Sequence, residues 1–229
     1  MYLKKTVKAG LCIFTYRHYA FRYGKKSLRS KNHSETTPKQ KEINRRISED
    51  KKIWTLLENF QKGDLWVQFD YRADTRPGDM EAAFKNIQKL LHRAARILKR
   101  QEIRLTYMQM TERGVLGGLH HHIVFKNNFD PSILIPLWEH GKVIIDRIYS
   151  DNLIKLANYF VKGRSERGEK KYSQSRNLKS PRIKVEIMKS DRWSKDPKPS
   201  KGYIIHDLYN GYHEVTGYEY QRCVQKKIE

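Results

Sequence analysis

The sequence predicts an α+β fold in which a central, mainly antiparallel sheet is flanked by helices. Three observations lead to this prediction: strand-like segments outnumber helical ones, the helical segments fall between strands, and two strand candidates are joined by a short turn with three glycines. A short turn makes its two strands antiparallel, and such mixtures of strands and helices are typical of α+β proteins. At 229 residues the chain suffices for one large domain, or for a domain with extensions.

The first part of the chain is basic and aromatic. Residues 1–50 are predicted as a basic, partly mobile extension ahead of a main domain over residues 51–229. A helix is predicted over 41–60, because its apolar residues recur at steps of about three and four: Ile43, Ile47, Trp54, Leu57 and Phe60. Residues 65–71 are rich in aromatic residues and end near a Pro-Gly turn signal, which predicts a strand.

The middle of the chain combines a helix with a hairpin. Asp79 can cap a helix over 80–100, whose buried face consists of Ala83, Ile87, Leu90, Leu91, Ala94, Ala95 and Leu98. Residues 103–112 are predicted as a strand that returns, through the turn at 113–118, as an antiparallel strand over 119–126.

The last part is predicted to continue with both element types. A strand is expected over 142–149 and a helix from about Asp151 to Lys162, which ends at Gly163. A basic loop is expected over 164–179, followed by two or three further strands between Arg182 and Gln225.

Charge indicates the class of partner. The chain has 47 Lys and Arg against 25 Asp and Glu, a formal net charge of +22. Such a surplus attracts polyanions, so nucleic acid is the leading expected partner and an anionic membrane surface the other. The apolar runs are far too short to span a bilayer, the first residues lack a signal-peptide stretch, and Cys12 and Cys223 form no CxxC pattern. We therefore expect a soluble, cytoplasmic protein.

Three consecutive histidines form the most informative motif. His120, His121 and His122 lie in a predicted strand, so His120 and His122 share one face while His121 points to the other. The hairpin can bring Glu112 beside them, on a strand face whose other residues are methionines. Two imidazoles and a carboxylate form a mixed ligand set with open positions, suited to Mg²⁺ or Mn²⁺ in phosphate chemistry. The alternative is one buried, hydrogen-bonded histidine with the others on a wet surface.

A second motif lies on the predicted helix that ends near residue 162. Tyr159 and Lys162 are three residues apart and therefore share a helix face. A tyrosine hydroxyl has a pKa of about 10, so it needs a nearby ammonium or a metal-activated phosphate to act as a nucleophile. With 14 tyrosines in the chain, the alternative is a structural or surface tyrosine.

Together these motifs resemble the HUH endonuclease superfamily, and most of all its single-tyrosine rolling-circle replication initiators from plasmids, integrative elements and phages. The resemblance covers residues 40–225 and includes Asn59-Phe60-x-x-x-Asp64, Glu112-Arg113-Gly114, Gly118-Leu119-His120-x-His122, Tyr159-x-x-Lys162, and the basic stretch from Lys170 to Pro181. Lys201-Gly202-Tyr203 and Thr216-Gly217-Tyr218 are similar to the family's carboxy-terminal strands.

The resemblance implies a fold and an activity. The fold would be a ferredoxin- or RRM-like variant, with the metal ligands on a middle strand and the tyrosine on a helix beside it. The activity would be site-specific nicking and rejoining of single-stranded or hairpin origin DNA through a 5′-phosphotyrosine. His120, His122 and Glu112 would hold a divalent metal, with Tyr159 as nucleophile and Lys162 as its helper. No Walker phosphate loop occurs, so a host helicase and polymerase are expected partners.

The chain departs from the family pattern at two positions. The family usually has a bulky apolar residue where this chain has His121, which would face away from the metal and need not be fully buried. The family's first motif usually carries a threonine, whereas this chain has Phe69-Asp70-Tyr71. Asp70 therefore has two interpretations, as a contributor to the metal site or as a structural or surface residue.

Two groups of residues are expected to contact DNA. Six cations of the expected basic loop would hold phosphates near Tyr159: Arg164, Arg167, Lys170, Lys171, Arg176 and Lys179. Near the amino terminus, basic residues alternate with Tyr16, Tyr19, Phe21 and Tyr23, which would either stack on unpaired bases or form an edge of the core.

Two other functions fit the same motifs. A relaxase or single-tyrosine transposase would use the same chemistry, although relaxases usually carry a third histidine spaced away from the pair. A non-catalytic, basic nucleic-acid-binding protein would bind through charge alone, without cleavage at any metal concentration.

Overall fold

The computed structural model describes residues 1–21, 23–24, 35–114, 117–151, 153–162, 171–214 and 216–228, but not the side chain of Lys162. Over these residues the chain has ten strands and three α-helices. It divides into two compact units, one of Met1–Glu58 with Ser180–Glu229 and one of Asn59–Lys179, called units 1 and 2 here. Each unit contains a five-stranded antiparallel sheet, which confirms the predicted α+β class.

The elements follow one another in the order that the sequence predicts, with ends shifted by a few residues. In chain order they are β1 (Tyr2–Ala9), β2 (Cys12–Tyr19), α1 (Pro38–Asn59), β3 (Leu65–Asp70), α2 (Met80–Lys99), β4 (Tyr107–Arg113), β5 (Leu119–Phe125), β6 (Val143–Arg147), α3 (Leu153–Lys162), β7 (Lys171–Gln174), β8 (Arg182–Ile187), β9 (Tyr203–Tyr212) and β10 (Glu219–Lys227). No helix among the described residues is long and apolar enough to cross a membrane.

Unit 1 joins the two ends of the chain in the strand order β8-β1-β2-β10-β9. Helix α1 packs on one face of this sheet, where its Trp54 lies 6.1 Å from the Phe14 ring and 5.9 Å from the Tyr16 ring. The β1–β2 turn needs Gly10, because its φ is +54° and a Cβ there would lie 2.1 Å from the Leu57 carbonyl oxygen. The turn therefore fits closely against the end of the helix.

Unit 2 has the strand order β6-β3-β5-β4-β7, so β5 with its three histidines is the middle strand. Helix α2 begins as predicted, since the Asp79 carboxylate accepts a 2.7 Å hydrogen bond from the Ala82 N–H. Its apolar residues join alternate strand residues in one buried cluster that includes Val67, Phe69 and Ile123. Burying each such side chain contributes roughly 1.5–3 kcal/mol. The opposite face of the sheet is left for the histidine pair.

The expected basic loop over 164–179 is partly wrong. Lys171–Gln174 form β7, which pairs with β4 in the register Met110↔Tyr172. Pairing satisfies backbone groups that β4 would otherwise leave open at the edge of the sheet. The four residues of β7 are too few to show a periodic pattern in the sequence.

The amino-terminal 50 residues, predicted as a basic extension, contain β1, β2 and the start of α1. Residues 22 and 25–34 of that segment lie outside the described residues. The division into domains at residues 50 and 51 falls within α1 and stays a prediction.

Candidate functional site

The β4–β5 hairpin assembles the three predicted metal ligands. Glu112 lies directly opposite His120 in the register, and His122 is two residues further along the same strand face. Glu112 Oε1 lies 3.3 Å from His120 Nε2 and 3.4 Å from His122 Nε2. One ligand atom from each of the three residues lies within 4.8 Å of the others. The arrangement could hold a metal ion.

The donor atoms of this cluster fit a divalent cation. His122 is 4% exposed, and neither of its ring nitrogens has a hydrogen-bond partner among the described residues. A buried imidazole without a hydrogen bond is costly, and a metal–nitrogen bond would satisfy one nitrogen. Burial opposes protonation of His120, but its hydrogen bond and charge interaction with Glu112 outweigh burial and raise its pKa. The Glu112 carboxylate therefore attracts positive charge to this site.

An aromatic side chain that the sequence analysis does not assign supports the histidine pair. Trp66 of β3 stacks on the His122 ring, with a centroid distance of 5.0 Å and an interplanar angle of 24°. Trp66 lies opposite Val124 in the β3–β5 register, on the histidine face. The period-two alternation of β3 places Trp66, Gln68 and Asp70 on one face, but only the pairing with β5 shows what that face meets.

Tyr159 lies beside the metal candidates. Its ring centroid is 5.8 Å from that of His122 and 6.0 Å from that of Trp66. Its exposed fraction is 53%, so the ring is open to a substrate as well as close to the histidines. The structure thus brings the predicted nucleophile and the predicted ligands together. Lys162 is the last residue of α3, and its side chain lies outside the described part of the chain.

Helix α3 is held on the histidine face by its apolar side and by β7. Phe160 is fully buried, with its ring centroid 6.1 Å from those of Trp66 and Tyr172. The Tyr172 hydroxyl donates to the Val161 carbonyl at 3.0 Å, and the Phe160 carbonyl lies 3.4 Å away. This contact fixes the end of the helix where Tyr159 stands.

His121 points to the opposite face, as predicted, but it is completely buried. Its Nε2 hydrogen-bonds with the Tyr71 hydroxyl at 2.9 Å and its Nδ1 with the Thr111 hydroxyl at 2.8 Å. The Gln109 side chain donates to the same threonine oxygen at 2.6 Å. Burial lowers the pKa of His121 to about 3, so the imidazole is neutral. A neutral histidine with two partners fills the position where the family has an apolar residue.

Asp70 lies next to the cluster without being one of its three grouped ligands. It is directly opposite His120 in the β3–β5 register, and the Gln68 amide donates to its two oxygens at 2.9 and 3.1 Å. Its charge contributes to the raised pKa of His120. Asp70 therefore belongs to the site electrostatically, and the interpretation as a metal ligand is not supported by the three-residue grouping.

The six predicted DNA-binding cations have different positions. Arg164, Arg167 and Lys170 lie outside the described residues. Lys171 lies in β7 and forms an ion pair with Glu81 of α2. Arg176 and Lys179 are exposed after β7, and the Lys179 backbone N–H donates to the Asn59 side chain at 2.7 Å. Two of the six are therefore both described and exposed.

Comparison with known proteins supports the resemblance seen in the sequence. Residues 64–164 match the family of replication-associated proteins of the ORF2 type, a segment that contains Glu112, His120, His122 and Tyr159. The match is consistent with a rolling-circle replication initiator and indicates DNA binding in replication. The chain has no significant match among curated proteins or solved structures.

Proposed function

We propose that this protein initiates rolling-circle replication by metal-dependent, site-specific nicking and rejoining of single-stranded DNA. The observation that carries the proposal is the placement of Tyr159, half exposed, with its ring 5.8 Å from His122 in the Glu112–His120–His122 cluster. A nucleophile beside a candidate metal site is what transfer of a DNA phosphate requires.

Glu112, His120 and His122 would hold the divalent cation, Mn²⁺ or Mg²⁺. When bound, the cation would polarise a phosphate oxygen and stabilise the charge of the transition state. Trp66 keeps the His122 ring in place by stacking, and Glu112 orients both histidines. Supporting contacts of this kind usually decide metal affinity as strongly as the choice of ligand.

In the proposed nicking step the Tyr159 hydroxyl oxygen attacks the phosphorus of one phosphodiester. A bond forms between phosphorus and the tyrosine oxygen while the bond to the 3′-oxygen breaks. The phenolic proton leaves to solvent, and the released 3′-oxygen takes up a proton as a hydroxyl. In rejoining, a 3′-hydroxyl attacks the phosphotyrosine and Tyr159 is released with its proton restored. Lys162, which follows in the last turn of α3, is proposed to favour the phenolate through its positive charge.

The test of the chemistry is formation of a covalent adduct. Labelled single-stranded hairpins are incubated with Mn²⁺ and separated on a denaturing protein gel. We expect an adduct that disappears with EDTA and in Tyr159→Phe, but persists in Tyr149→Phe, a matched control whose tyrosine is 77% exposed outside the cluster. An adduct that survives in Tyr159→Phe would remove that residue from its role. Tight, salt-sensitive binding without any adduct would favour the non-catalytic binder.

The test of the metal site is Mn²⁺ binding measured by calorimetry without DNA. Glu112→Gln keeps the size of the side chain but removes the charge that both histidines face, so it should weaken binding strongly. Glu139→Gln is the matched control, since the Glu139 side chain is 68% exposed and pairs with Arg93. Equal Mn²⁺ affinity in the two variants would contradict the ligand assignment.

A further inference from the structure

Five aromatic rings form a partly exposed cluster in unit 1. Tyr19 and Tyr218 are stacked, with a centroid distance of 3.9 Å and an interplanar angle of 15°. Tyr2 lies edge-on to Tyr19 at 5.3 Å and to Trp193 at 5.2 Å, and Phe21 lies edge-on to Tyr19 at 5.0 Å. Phe21 is 61% exposed and Tyr218 is 37% exposed. Aromatic surface left in water in this way indicates an interaction site.

The sheet register places cations on the same face as the cluster. Tyr2 pairs with Tyr19, and two residues further along Lys4 pairs with Arg17. On the other side of β1, Lys8 pairs with Arg182 and Thr6 with Lys184. Directly paired residues share a face and strand residues alternate, so these cations lie in one stripe with the aromatic cluster at its end. At about 3.3 Å per residue, Lys4 and Lys8 are roughly 13 Å apart.

Two observations define which part of this face is open. Helix α1 covers the opposite face through Trp54. The segment between β8 and β9 crosses the β10 side, where the Gln221 amide donates to the Ser194 carbonyl at 2.9 Å and the Ser200 N–H donates to Gln225 at 2.8 Å. Over β1 and β8, the side chains of Lys8, Arg182 and Lys184 remain exposed. The carboxylate in this stripe, Glu186, pairs with Lys184 at 2.7 Å.

The chemistry of this face selects an unpaired polynucleotide strand. Stacked rings match the faces of unpaired bases, which a duplex keeps covered, and a line of cations matches a backbone with one phosphate per nucleotide. An anionic lipid surface would use the cations but not the stacked rings. We infer that the aromatic cluster and its cationic stripe form a single-stranded DNA-binding surface in unit 1, separate from the candidate metal site. The inference deepens the proposed function, on which it rests for the identity of the strand as DNA.

The structure also separates two interpretations of the amino-terminal aromatic residues. Tyr16 is a core residue, because it is 7% exposed, contacts Trp54 and donates its hydroxyl proton to Asp50 at 3.0 Å. Tyr19 and Phe21 belong to the exposed cluster. Base stacking is therefore assigned to the second group alone.

The aromatic part is tested by fluorescence anisotropy with a labelled oligo(dT) of about 20 nucleotides, in EDTA so that no nicking can occur. Removal of a base-stacking ring typically weakens binding at least fivefold. We expect a loss of this size in the double variant Phe21→Ala/Tyr218→Ala, near-normal binding in Tyr218→Phe, which keeps a ring, and unchanged binding in Tyr209→Ala. Tyr209 is 50% exposed and lies opposite Arg222 on the face that α1 covers, which makes it a matched control.

The cationic part is tested through salt dependence with the same oligonucleotide. Each phosphate contact to a single strand contributes about 0.7 to the slope of log affinity against log salt. Lys8→Gln/Lys184→Gln should lower that slope by about 1.4, whereas Lys41→Gln/Lys51→Gln in α1 should leave it unchanged.

Three outcomes would overturn the inference. These are oligo(dT) affinity within twofold of the wild type in a folded double aromatic variant, equal affinity for a duplex of the same length, or binding to phosphatidylserine vesicles that depends on the same rings. Circular dichroism of each variant establishes that it is folded. Loss of the surface would leave the Tyr159 adduct on short hairpins intact, and absence of the adduct would leave oligo(dT) binding intact, so the two failures are distinguishable.

Discussion

The buried His121 makes the stability of the protein sensitive to mild acid. In the folded protein its pKa is about 3, because burial disfavours the charged imidazole and the neighbouring His120, His122 and His140 add to the effect. In the unfolded chain a histidine has a pKa of about 6.5. The unfolded chain therefore binds a proton first as the pH falls, and acid stabilises the unfolded state relative to the folded one.

The size of the effect follows from the difference between the two pKa values. The stability is fully present above about pH 6.5 and decreases by roughly 1.4 kcal/mol for each pH unit below it. At about pH 5 the expected loss is roughly 2 kcal/mol, a large part of the 5–15 kcal/mol that typically stabilises a folded protein. The loss would continue toward the folded pKa of about 3.

The assay is urea unfolding at about pH 7 and about pH 5, followed by tryptophan fluorescence. His121→Gln removes the titrating group and retains polar atoms that can reach Tyr71 and Thr111. Its own stability cost cancels when each variant is compared with itself at the two pH values. His92→Gln is the matched control, because His92 is exposed on α2. We expect His121→Gln to lose about 2 kcal/mol less than the wild type and His92→Gln to behave like the wild type. Equal losses in the wild type and His121→Gln would refute the reasoning.

Three further predictions concern the supports of the site. Gly114→Ala should weaken Mn²⁺ binding on the order of tenfold, because the new Cβ would lie 3.1 Å from His120 Cε1, whereas Gly78→Ala has open space and should bind normally. Asp64→Ala should lower the free energy of unfolding by about 2–3 kcal/mol, since its buried carboxylate accepts hydrogen bonds from the Gln61 and Asn127 N–H groups and from Lys126; urea unfolding that ranks it with Asp74→Ala, on the surface, would contradict this. Tyr172→Phe should slow adduct formation without changing Mn²⁺ affinity in calorimetry, because it frees the end of α3 and leaves the ligands in place, and a matching loss of Mn²⁺ binding would argue against this separation.

The candidate metal site could be predicted largely from local sequence. The alternation of side chains along a strand puts His120 and His122 on one face, and a short hairpin brings Glu112 beside them. Both statements depend only on backbone stereochemistry and on a turn of a few residues. The cap of α2 at Asp79 could be predicted for the same reason. The predicted nucleophile, Tyr159, was found through the resemblance to a known family rather than through spacing alone.

Other features depend on pairing between segments that are far apart in the chain. The short strand β7 shows no periodic signal, and it becomes a strand only because β4 offers it hydrogen bonds. Trp66 is one of four tryptophans in the sequence, and its role follows only from the pairing of β3 with β5. The burial of His121 likewise depends on hydroxyl groups that β4 and the residue after β3 supply.

By itself, then, the sequence determined the α+β class, the order of the elements and the three residues of the candidate metal cluster. Only the tertiary structure decided that the strands form two sheets, that α3 brings Tyr159 to His122, and that aromatic residues from both ends of the chain meet in unit 1. The physical reason is that local patterns reflect the stereochemistry of a few neighbouring residues. Contacts between distant segments depend instead on which buried surfaces and unpaired backbone groups find one another when the whole chain folds.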